Sequence, residues 1–148
     1  MNTLNHNKII QTSVISLLAA LFSYLLLFFM GNYAVLYFAY DFDIGAYFTL
    51  SGVKFAIDRT NPLWTYDAEV TILLSRPLFS LIIGVVSLLV LILSRKLYTA
   101  TFFFLLWINI FAFNAAFGLF LDDFISRTGV FYVARRMDFD TPEIIVSL

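Results

Sequence analysis

Three stretches of this chain carry no charged side chain: Ile9–Met30, Pro77–Leu93 and Leu97–Leu121. The first alone decides the solvent. Its twenty-two residues, at 1.5 Å rise, span roughly 33 Å as a helix, and the hydrocarbon core of a bilayer is about 30 Å thick. Composition agrees, because 61% of the 148 residues are apolar and 13% charged, against about 45–50% and about 25% in soluble domains. A soluble core of this size has no room for so much apolar surface. The expected fold is all-α and integral to a membrane, with three transmembrane helices and residues 1–148 forming a single polytopic membrane domain.

The segments between the runs set the topology. Ile9–Met30 exceeds the 7–15 apolar residues of a secretory signal and no Ala-x-Ala site follows promptly, so it reads as a retained anchor. Residues 31–76 read as interfacial or extramembrane. Within them, Tyr33, Tyr37, Tyr40 and Tyr47 suit the headgroup level, where a ring keeps its hydroxyl wet. Asp41 and Asp43 interrupt the apolar pattern, and Gly45 and Gly52 punctuate it. Residues 54–76 carry mixed charges and the turn signal Asn61-Pro62, which predicts a connection with one short helix. Pro77 predicts the first turn of the second span, where its missing N–H is harmless. Ser94-Arg95-Lys96 predicts a tight turn between spans two and three, and 122–148 a tail closing in a short strand or extended arm. Four spans, with 33–53 also crossing, is the second topology.

Several function classes fall away. Net charge is −1 with no basic block, which argues against a nucleic-acid partner. There is no cysteine, and His6 is the lone histidine, so neither a thiolate site nor a histidine metal cluster can be assembled from this chain. No catalytic motif is present, and no cofactor is expected.

The remaining candidates are polar groups near or within the runs. Asn114, Gly118 and Asp122 recur every four residues, placing an amide, a small residue and an acid on one helical face that Trp107 and Phe111 extend. That face predicts helix packing, with a polar groove as the functional counterpart. Asn109 lies about 140° around from Asn114, on another face. Asp41 and Asp43 diverge by about 200° on a helix and share a face only on a strand. They read as wet interfacial acids, against a cation or proton site at the membrane edge. Arg76, Arg135 and Arg136 are placed to meet lipid phosphates, ordinary anchoring being the plainer use. Small residues four apart occur at Ser16/Ala20, Ala19/Ser23, Ser80/Gly84 and Ala112/Ala116, and such spacing lets backbones approach in lipid.

These features predict a structural or accessory subunit of a larger membrane assembly, in a bacterial inner membrane. Its partners would be the lipid bilayer and either other membrane subunits or copies of itself. A transporter or channel protomer using Asp41, Asp43, Asn114 and Asp122 is the rival, and a membrane-embedded enzyme comes third.

Overall fold

The computed structural model describes the backbone of residues 2–94 and 96–126, and the side chains of 6–94 and 96–118. The order is α1 (Asn2–Asp41), β1 (Ala46–Thr49), β2 (Gly52–Phe55), α2 (Tyr66–Leu93) and α3 (Thr99–Ser126). All three helices are long and apolar enough to cross a membrane, and the two-stranded sheet is a minor addition to a helical protein.

α1 is longer than its uncharged run. Its 40 residues reach about 60 Å at 1.5 Å each, twice the hydrocarbon thickness. It passes through Gly31-Asn32 unbroken, with the buried Asn32 donating to the Phe28 carbonyl at 2.8 Å. It ends in a Schellman motif, in which Ile44 N–H reaches the Ala39 carbonyl (2.9 Å) and Asp43 N–H the Tyr40 carbonyl (3.0 Å). Asp43 holds the left-handed position that this motif requires, at φ 57°.

The strands that follow pair antiparallel, from Ala46 opposite Phe55 to Thr49 opposite Gly52. The hairpin folds back along α1 instead of projecting from it. Phe48 stacks on Phe29 at 5.6 Å and meets Phe28 edge-on at 5.8 Å. Gly52, at φ +126°, lies against Asn32: a Cβ there would stand 3.4 Å from the Asn32 Oδ1. Residues 54–76 therefore contain no separate short helix. They comprise the end of β2, a loop and the first turns of α2.

α2 also begins earlier than Pro77 suggests. Thr65 caps it, accepting from Ala68 N–H at 3.2 Å, and Asp67 and Glu69 in the first turn complement the helix dipole. Pro77 is consequently buried inside the helix, where it leaves the Leu73 carbonyl without its usual N–H donor. α3 likewise runs past Leu121 through Asp122 and Asp123 to Ser126. The arm expected at 142–148 lies outside the described residues.

Two kinds of packing hold these elements. Near the C-terminal end of α1, Ala39, Ile44, Trp64, Ala68 and Ile72 form a buried cluster flanked by Phe38, Phe42 and Phe55. Between α2 and α3 the buried residues are small: Ser80, Gly84 and Ser87 face Ala112 and Ala116, with Ile108 the one large member among the described residues. A Cβ on Gly84 would lie 3.2 Å from the Ala112 Cβ. Asn109 donates to the Gly84 carbonyl at 2.9 Å and contacts Ser87 Oγ at 3.4 Å. The pairings 84 with 112 and 87 with 109 run antiparallel. α1 joins α3 through Ser23, whose hydroxyl donates to the Phe104 carbonyl at 3.0 Å, and through Ser16, which accepts from Trp107 Nε1 at 3.1 Å.

Candidate functional site

Two markers locate one hydrocarbon edge. On α1 the run from Ile9 gives way after Met30 to Gly31-Asn32, and the uncharged run of α2 begins after Arg76. They coincide in space: a Cβ on the buried Gly31 would stand 3.2 Å from Arg76 Cγ and 3.5 Å from its Nε. The Arg76 stem thus lies close on Gly31, where a Cβ would press on it, and its guanidinium sits near the level of Gly31. No carboxylate or hydrogen-bond acceptor among the described residues meets that guanidinium.

Arg76 lines a cleft of about 380 Å³ shared with Tyr24, Leu27 and Phe28 of α1 and with Phe111, Asn114, Ala115 and Gly118 of α3. The walls are aromatic. Tyr24 meets Phe111 edge-on at 5.9 Å and Phe28 at 6.3 Å. Asn114 is exposed, and among the described residues a Cβ on Gly118 would meet only Asn114 of its own helix. The helix contacts expected of this stripe are made, inside the chain, by Ala112 and Ala116 on the neighbouring face. Asn114 and Gly118 instead border an open cleft. Asp122 follows one turn later on α3, its side chain outside the described residues, as are Arg135 and Arg136.

No family model, curated protein or solved structure matches this chain. Its functional reading therefore rests on geometry alone.

A second cavity, of about 530 Å³, lies beside the C-terminal part of α1 and is lined by Tyr33, Tyr37, Tyr40, Asp43 and the start of β1. Tyr33, Tyr37 and Tyr40 are exposed in a row, Tyr40 at 85%. Asp41 and Asp43 are both exposed, Asp41 in the last turn of α1 and Asp43 in its cap. Asp43 and Asn114 border different cavities, so within one chain these two do not share a path, and the channel reading needs oligomerisation to bring them together. Among the described residues, no group of three or more His, Asp or Glu lies together to hold a metal.

Sequence reasoning missed Asn109, Ser23 and Trp107 as the side chains that bond helix to helix. A signal was there for Ser23, which belongs to the Ala19/Ser23 spacing. For Asn109 the signal was its position on a face away from Asn114, opposite the small residues of the preceding span.

Proposed function

We propose that the chain is a structural or accessory subunit of a larger assembly in a bacterial inner membrane. The observation that supports this is the tyrosine row on α1. Beyond Met30, Tyr37 and Tyr40 stand roughly 10 and 15 Å further along the helix axis. The headgroup region adds only about 5–7 Å per side. With the hydrocarbon edge taken at Met30, where Gly31 meets Arg76, Tyr40 stands past the depth at which an interfacial belt would explain it. An exposed tyrosine row over a groove matches the aromatic enrichment of protein interfaces. The hairpin tip, with Leu50 98% exposed, turns back toward the membrane beside it.

Purification from the native membrane in mild detergent tests the proposal. A defined partner, or a second copy of the chain, is expected to co-migrate and to be lost from a Tyr37→Asp/Tyr40→Asp variant. Both rings are exposed, so that variant keeps its fold. A monomer that migrates alone before and after the substitution would remove the subunit reading.

A further inference from the structure

A guanidinium at a hydrocarbon edge is costly unless an anion meets it, and an arginine there ordinarily swings its head into water. Here the stem is held against Gly31, and the cleft opens beneath the charge. Leu27 and Phe28 precede Gly31 by three to four residues, about 5 Å deeper. The cleft thus presents a cation at its rim and, one turn below Gly118 among the apolar walls, the Asn114 amide. Its volume of about 380 Å³ equals roughly a dozen waters' share of liquid, enough for a phosphoglycerol unit whose chains continue into the bilayer.

We propose that this α1–α3 cleft seats the headgroup phosphate of an anionic phospholipid. Arg76 supplies the charge-assisted hydrogen bonds, Asn114 is the second donor, and the acyl chains descend along Leu27 and Phe28. Gly118 keeps the mouth open. A soluble phosphate compound would gain nothing from the apolar walls, which is why the proposal commits to a lipid. It stands whether or not the chain is a subunit of a larger assembly.

The test is native mass spectrometry of the full chain in non-ionic detergent, titrated separately with phosphatidylglycerol, phosphatidylcholine and inorganic phosphate. One phosphatidylglycerol per chain is expected, unmoved by excess inorganic phosphate and held more tightly than phosphatidylcholine. Arg76→Gln retains the Cγ and Cδ that lie on Gly31 and should bind it about fivefold more weakly, the scale of one arginine–anionic lipid contact. Gly118→Leu should also weaken binding, with a nearly unchanged thermal midpoint because among the described residues a Cβ there meets no atom of another helix within 4 Å and the added side chain enters the open cleft. Lys96→Gln, at the far end of α2, should bind as the unsubstituted chain does. Equal affinity for phosphatidylcholine, displacement by inorganic phosphate, or undiminished binding by either Arg76→Gln or Gly118→Leu would each overturn the proposal.

Discussion

The water-facing end of the molecule and its lipid-facing middle are built from opposite materials. Around the end of α1 the core is bulky: Trp64 packs edge-on against Phe55 at 4.9 Å, and Ile44 and Ile72 are almost wholly buried. In the middle, large side chains such as Phe22, Ile82 and Val86 point outward, while Ser, Gly and Ala meet at the helix seams. The solvent accounts for the inversion. In water, burying a large apolar side chain gains about 1.5–3 kcal/mol. In lipid that gain vanishes, and helices associate through close backbone approach and a few hydrogen bonds. One chain thus uses two adhesives, and α1 and α2 each pass from one to the other near Gly31 and Arg76.

The comparison predicts that the two regions fail separately. The largest effect is expected from Trp64→Ala, about 3–5 kcal/mol from the water-facing cluster. It should open the hairpin and the loop before α2 to trypsin at Lys54 and Arg59 while the α2–α3 seam stays intact. If the seam melts together with the cluster, the division into two regions is wrong.

Next comes Gly84→Leu, which forces a branched side chain into a site where even a Cβ would stand 3.2 Å from Ala112. Overpacking should cost about 1–3 kcal/mol, read as earlier unfolding of the seam in mixed micelles, with Gly84→Ala intermediate. Equal stability of the Leu and Ala variants would show that the backbones are not in close contact. Asn109→Leu should do less, about 0.6 kcal/mol and no more than about 1.7, by the same measurement. Its acceptor, the Gly84 carbonyl, already belongs to a helix, so losing the amide strands no buried group.

How far the sequence foretold this arrangement depended on which adhesive was at work. The spans are visible because an uncharged run needs only counting, and the small-residue spacings at Ser80/Gly84 and Ala112/Ala116 fall at the seam. The water-facing end was obscure. Ala46–Phe55 forms a hairpin without the Asn-Gly or Asp-Gly signal of a tight turn, and its rings read as an interfacial belt because they do lie near one. Pro77 misplaced the start of α2: proline suits a first turn, but Thr65 with Asp67 and Glu69 had already supplied a cap and dipole partners. The cleft was out of reach. It depends on the relative rotation of three helices, which brings Gly31, Arg76 and Gly118 to one place, and spacing within a single helix carries no information about that.

The smallest predicted effect sharpens the comparison at the point where α1 ends in water. Asp43 occupies the left-handed position of the Schellman motif, which a residue with a Cβ adopts at a penalty of about 1–2 kcal/mol, less for Asp and Asn. Its carboxylate also stands at the negative end of the helix dipole, unfavourable by about 0.3–1 kcal/mol at an exposed site. Asp43→Asn removes the second burden alone. Asp43→Gly removes both but adds unfolded-state freedom worth about 0.4–1 kcal/mol, so each variant should be more stable by a few tenths of a kcal/mol. Asp43→Ala also removes the charge but takes on the full left-handed penalty that Asp and Asn partly escape, and should be the least stable of the four. Ile44, next in the chain, packs in the same cluster as Trp64, so Trp64 fluorescence in a Trp107→Phe background reports this end directly. The expected order of midpoints is Gly and Asn above Asp, and Asp above Ala. An alanine variant as stable as the glycine one would mean that this turn does not hold the left-handed conformation, and that the hairpin returns to α1 by some other path.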